Sequence, residues 1–449
     1  MTMTVSTPQN TRPPGPGLFG SFSLFRDLID GPRRMYAKHG NFVELRVALA
    51  QERVVLIHEP EWIEQVVLRR KERYHKDRIY QWLRPVFGDS ILVSEGEKWK
   101  RNRRLMAPAF HRKNLARYAE TMVECADAAI DRLEYGKPFA LNRWMMEIAL
   151  DIALRTLFGS ELKGRASIIS DAVDGLMHYA DAVIGSTIPL PTWLPIKPVR
   201  DLKQGMSAIN EIVDELIQER RQSDEQQQDL LGLLLAARDE DGSRLSDQEV
   251  REEVITLLLA GHETTALMLT YTVHLLCRFP YALGPIRDEL DTVLGERRPT
   301  VEDLKDLDEV DHLIKESLRL YPPAGIIGRE AIEEDDIGGY DIHVGDQVLI
   351  SIWALHHDER FFDDPWSFDP SRWSAEMEKA LPRSSFMPFG GGARTCIGDA
   401  FALMEGRLVM SRLLQKLDFE ALDTSEPSLE LAITMRPTED IMVIARPRD

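Results

Sequence analysis

The chain has 449 residues, 43% of them hydrophobic and 29% charged, enough to bury a large core and ordinary for a folded globular protein. Its formal net charge of -19 argues against a nucleic-acid binder, and three cysteines without CxxC spacing support neither a disulfide framework nor a structural zinc site. A reducing cytoplasm and a soluble protein are the expectation. Residues 1–20 are polar and proline-rich with no apolar run, so neither a signal peptide nor a membrane anchor is expected there. Residues 21–449 are read as one catalytic domain.

Phe42 to Arg46 and Arg53 to Ile57 read as two β-branched strands, and a second strand region surrounds Tyr340 to Ile342 and Gln347 to Ile350. This places a small β portion near 41–58 and 337–352. Helical periodicity dominates the rest, over Thr121 to Arg132, Met145 to Leu157, Leu202 to Arg221 and Asp247 to Phe279. The fold class is therefore mainly α with a small β portion. The polar patch Gln222 to Gln228 is too short to separate domains. Ile188 to Pro198 carries four prolines and cannot continue a helix, yet it is strongly apolar for a surface loop. It reads either as a lid over an apolar pocket or as a stiffened crossover packed on the body.

Ser246 and Glu249 form a capping-box signature, and the apolar pattern then runs to Phe279, roughly 33 residues or about 50 Å of helix. At its centre lies Ala260-Gly261-His262-Glu263-Thr264-Thr265. Glycine and adjacent β-branched threonines are poor choices for a helix centre, which suggests a function there. Thr264, bonding back to the helix carbonyls, is expected to open the local ladder, and an acid and an alcohol side by side can relay protons. His262 is expected to face outward. Late in the chain comes Phe389-Gly390-Gly391-Gly392-Ala393-Arg394-Thr395-Cys396-Ile397-Gly398, followed by a helical pattern. A cysteine at a helix N-terminus is favoured as thiolate and can ligate a metal, while the glycines permit positive φ and close approach to a flat cofactor. Cys125 and Cys277 lie in apolar helical patterns and read as buried packing residues.

The pattern Phe-Gly-x-Gly-x-Arg-x-Cys-x-Gly resembles the cysteine-ligand loop of the cytochrome P-450 family of haem-thiolate monooxygenases, and Ala260 to Thr265 resembles the same family's oxygen-activation motif. The resemblance covers nearly the whole chain after about residue 13. It implies the cytochrome P-450 fold, with haem b between a long central helix and the cysteine loop, and oxygen insertion into a lipophilic molecule such as a fatty acid, terpenoid or steroid. Cys396 would ligate the iron; Phe389, Gly390 and Gly398 would shape its loop; Trp99, Arg103, Arg329 and Arg394 would bind the cofactor's propionates. Glu263 and Thr264 would deliver protons. Glu316 and Arg319, in a helix read over Asp311 to Leu320, would form a charged triad with Arg372. The pocket would draw on Phe87, Leu92, Ala260, Gly261, Ala324, Ile326 and Met435. Arg78, Tyr80 and Arg84 could catch a carboxylate, although surface solvation also explains them.

With no flavin or ferredoxin segment in the sequence, electrons from NAD(P)H are expected through a separate ferredoxin- or flavodoxin-type donor. Its expected docking patch is the basic cluster Lys98, Lys100, Arg101, Arg103, Arg104, Arg112 and Lys113. A peroxide-driven peroxygenase or decarboxylase, and a non-catalytic haem protein, are the alternatives. Members of the first kind usually lack the acid and alcohol kept here as Glu263 and Thr264.

Overall fold

The structure, a computed structural model, describes residues 13–16, 24, 27–47, 52–159, 165–186, 188–222 and 229–448. Most of the N-terminal segment 1–20, the patch 223–228 and the side chain of Arg112 lie outside the described residues. The chain divides into two compact units. One comprises Met1–Arg78, Arg319–Ser367 and Ser374–Cys396; the other comprises Ile79–Leu318, Phe368–Trp373 and Ile397–Asp449.

The first unit is built on a five-stranded sheet, in the order Phe42–Val47, Glu52–Ile57, Gln347–Ser351, Ile326–Ala331 and Tyr74–Lys76. The first two strands are antiparallel, with Phe42 opposite Ile57, while Glu52–Ile57 runs parallel to Gln347–Ser351, with Val54 opposite Gln347. Two of these strands, Ile326–Ala331 and Tyr74–Lys76, carry no alternating apolar pattern in the sequence, and their pairing is what reveals them. Val55, Ile57, Val66, Val67, Val348, Ile350 and Met387 form the core on one side. Of the proline-rich segment, Pro14 accepts from the Glu44 amide at 2.8 Å, so it docks on the edge of the sheet.

The second unit is helical. Expected helices are present as Ala119–Asp131, Leu141–Phe158, Lys197–Gln222 and Asp247–Arg278, joined by Ala166–Ile184, which the sequence reading did not single out. Ala166–Ile184 and Lys197–Gln222 approach closely because Gly175 and Gly205 lack side chains; a Cβ at Gly205 would lie 2.7 Å from the Ala172 carbonyl oxygen. Ser246 caps the long helix Asp247–Arg278, with Glu249 completing the capping box. Among the described residues this is the one helix long and apolar enough to cross a membrane, and most of it is buried inside the protein. Small sheets, Pro138–Ala140 with Met442–Pro447 and Leu417–Ala421, and the hairpin Leu429–Leu431 with Met435–Pro437, close the C-terminal end.

The segment Ile188–Pro198 does not behave as a packed lid at its tip. Ile188 is 66% and Trp193 75% exposed, while the Tyr179 hydroxyl donates to the Leu190 carbonyl at 2.8 Å and pins the segment's start.

Candidate active site

In the first unit the cysteine loop is held from both sides. The Cys396 amide donates to the Phe389 carbonyl at 3.0 Å and the Gly390 amide to the Met387 carbonyl at 2.9 Å. Gly390 and Gly392 sit at φ +70 and +68, a region that side chains disfavour. A Cβ at Gly392 would lie 1.8 Å from the Val67 carbonyl oxygen, so only glycine lets the loop press on that backbone. Upstream, the Met387 amide donates to His356 Nε2 at 2.9 Å, which leaves Nδ1 as the protonated nitrogen facing the Arg319 carbonyl at 3.2 Å. Arg319 returns bonds to the carbonyls of His356, Pro365 and Ser367 at 2.9, 2.6 and 3.0 Å. Arg319 and His356 thus brace the run-up to Cys396. His356 was missed in the sequence because its partners lie more than 30 residues away on either side.

Cys396 is the exposed cysteine of the three, whereas Cys125 is buried and Cys277 partly so. Burial pushes the Cys277 thiol up to about 11 and raises that of Cys125 further, so neither offers a thiolate near neutrality. Arg329 lies on Ile326–Ala331, buried rather than on the surface, its Nη1 donating to the Gly328 carbonyl at 2.8 Å. Ala324 and Ile326 are half-buried nearby in sequence, and Arg394 closes the short turn Gly392–Arg394. Arg78 pairs with Glu330 at 3.6 Å.

In the second unit the long helix runs unbroken through Ala260 to Thr265 rather than opening there. The Thr264 hydroxyl donates to the Ala260 carbonyl at 2.7 Å, an i to i−4 bond that leaves its oxygen lone pairs available. Glu263 is buried, its carboxyl pKa raised by desolvation against the pull of the Thr434 hydroxyl and the Arg436 guanidinium. Arg436 Nη1 lies 3.7 Å from Glu263 Oε1 and pairs more closely with Asp181 at 2.8 Å, while Arg436 Nε bonds Glu430 at 2.7 Å. Glu263 Oε2 is buried with no partner. His262 corrects the outward-facing expectation: it is buried, and desolvation lowers its pKa to about 4. Phe87 and Met435 are buried, Leu92 and Gly261 half-buried, and Ala260 exposed on its helix face. The Tyr271 hydroxyl holds the Met435 carbonyl at 3.1 Å.

Trp99 and Arg103 occupy one face of Gly96–Met106, both half-buried. Glu316 is fully buried and receives Arg372 Nε at 2.9 Å, the Asp369 amide at 3.0 Å and Trp373 Nε1 at 3.0 Å. The indole is a further partner that the charge pattern did not reveal. The basic cluster is less free than its composition implies. Lys98 pairs with Asp89, Lys100 with Glu97, Arg101 with Glu249 and Arg104 with Asp239, at 2.7, 2.7, 2.8 and 2.5 Å.

The family model described as Cytochrome P450 matches residues 13–444. The chain belongs to the cytochrome P450 family. Cyclooctat-9-en-7-ol 5-monooxygenase of Streptomyces melanosporofaciens is similar to this P450 at 36% identity, over 84% of this chain and 82% of its own. Cyclooctatin synthase of the same organism is 32% identical over 91% and 89%. The crystal structure of a cytochrome P450DA heme domain superposes with a TM-score of 0.86 at 28% identity, covering 97% of this chain and 98% of that one. The protein is therefore a P450 monooxygenase with the P450 fold, and the family implies a haem-thiolate cofactor, O2, a lipophilic substrate and a redox partner. The residues present fit such a group. One exposed cysteine stands at the end of a loop in which Gly392 leaves no room for a Cβ, while Cys125 is buried and Cys277 partly so.

Proposed function

We propose that the protein hydroxylates or epoxidises a lipophilic small molecule, with Cys396 as the thiolate that holds haem b. Trp99, Arg103, Arg329 and Arg394 would neutralise its propionates. Bound haem supplies the redox chemistry that splits O2 and inserts one oxygen atom into the substrate. The chain's own part is proton handling: Thr264 Oγ1, fixed by its bond to the Ala260 carbonyl, accepts from and orders a water, and burial strengthens the hold of the Glu263 carboxyl on a proton beside it. That pairing of a buried acid with a fixed alcohol is the observation that carries the reading. It favours O2-driven turnover over the peroxide-driven alternative.

Phe87, Leu92, Ala260, Gly261, Ala324, Ile326 and Met435 are proposed to line the pocket, and their apolar character suits a hydrocarbon-rich substrate. Among fatty acids, terpenoids and steroids, the relative named for a cyclic alkenol favours the terpenoid class. Electrons are proposed to come from NAD(P)H through a ferredoxin- or flavodoxin-type donor, in a cytoplasmic setting. Exposed Lys100, Arg104 and Lys113 are its docking points.

Optical titration of the ferric protein with terpenoids, steroids and fatty acids tests the reading, a saturable shift toward high spin being expected. Cys396→Ala should lose the thiolate-specific band of the ferrous carbonyl complex. Retention of that band would overturn the ligand assignment.

A further inference from the structure

The turn that follows Phe87 is gripped by two adjacent carboxylates of the long helix. The Asp89 amide donates to Glu252 Oε2 at 3.1 Å, and the Ile91 amide to both oxygens of Glu253 at 2.9 and 3.0 Å. Gly88, at φ +58, gives the room: a Cβ there would lie 2.5 Å from the Glu252 carboxyl carbon. Glu253 is fully buried and takes a further bond from buried Asn102, Nδ2 to Oε1 at 2.9 Å. Among the described residues no cation pairs with it. The charges that act on it are Lys98, which is engaged with Asp89 and draws the pKa down, and Glu252, which raises it. Asp89 is also bound by Arg84, and Arg101 of the same helix as Asn102 is held by Glu249.

We propose that Glu253 is a positioning residue whose protonation state sets how firmly the turn 88–94, which follows Phe87 and carries Leu92, closes on the long helix. The substrate-binding consequence rests on the pocket reading above; the latch itself does not.

The sign follows from burial. Desolvation dominates over the bonds from Ile91 and Asn102 and pushes the Glu253 carboxyl up to about 7. Opening the turn readmits water and returns the group toward its ordinary value of 4.5. Between these values the closed turn binds one more proton than the open one, so acid favours closure and rising pH loosens it. The ratio of open to closed turn then rises roughly tenfold between pH 6 and pH 8.

Amide exchange of residues 89–94 in the haem-loaded protein, corrected for intrinsic base catalysis, reads this directly. Optical titration with a lipophilic ligand over the same pH range reads its effect on binding. The wild type should lose about tenfold protection from pH 6 to 8. Glu253→Gln, neutral throughout and still offering a carbonyl oxygen to Ile91, should be flat, and Glu252→Gln should keep the pH dependence with its midpoint moved to lower pH, since the Glu252 charge raises the Glu253 pKa. Should Glu253→Gln fail to fold, Asn102→Ala serves instead: losing a donor to the ionised form moves the midpoint to higher pH. A flat wild type, or a Glu253→Gln profile like the wild type's, overturns the proposal. If no lipophilic ligand shifts the haem spectrum, the pocket reading falls while the exchange data still decide the latch.

Discussion

Gly392 and Thr264 show how different the demands on single residues are. Gly392→Ala must place a Cβ where the Val67 carbonyl oxygen already sits, at a φ that alanine resists. The expected outcome is a loss of about 1–3 kcal/mol in denaturant melts, together with a lower haem content on purification. Thr264→Ala removes one hydroxyl from an intact helix, so folding and haem uptake should be unchanged. Reduced oxygen should instead leave as peroxide, measured as a fall in product per NAD(P)H consumed. Both residues were legible because their neighbours in sequence announce them. His356 and Trp373 were not, since each matters through a bond formed more than 30 residues away.

At the level of elements, Glu316 ties the helix Asp308–Leu320 to the Asp369–Trp373 turn through three donors. Glu316→Ala would leave Arg372 and the indole N–H buried without their acceptor, and should cost about 3–5 kcal/mol in equilibrium unfolding. Ser246→Ala is the milder contrast, removing the cap of the long helix for about 1 kcal/mol. Long helices could be read from the sequence because their apolar periodicity is local. Ile326–Ala331 could not. It contains a glycine and the charged pair Arg329 and Glu330, and it becomes a strand by pairing with Gln347–Ser351 and Tyr74–Lys76. The buried setting of Arg329 was hidden with it. Ala166–Ile184 has regular apolar spacing but no capping side chain at its start to mark it in the sequence.

For the whole molecule, titration gives a test in which opposing signs must be weighed. His262 and His274 are held near 4 and His357 near 3, all mainly by burial, so the unfolded chain binds protons there that the folded one refuses. Their contribution is lost as pH falls from about 6.5. Glu253, Glu263 and Glu405 are raised by burial and act oppositely, taking up a proton in the folded state while the unfolded chain is still ionised there, Glu253 as pH falls through about 7. Below about 4.5 that opposition ends, and Asp239, Glu249 and Asp303, held near 2 beside Arg104, Arg101 and Arg297, must be protonated. The melting temperature should therefore be nearly flat between pH 5 and 7 and fall steeply below pH 4. Net charge was readable from the sequence; its disposition was not. The lysines and arginines that composition offered as a docking patch mostly hold nearby carboxylates, so donor affinity should weaken with salt less than seven free cations would imply. Trp193, standing three-quarters in water on a proline-stiffened segment, has a different consequence. It is an indole lit from the solvent side: iodide should quench a long-wavelength emission component that Trp193→Phe removes, and whatever covers that segment will dim or blue-shift it without any label.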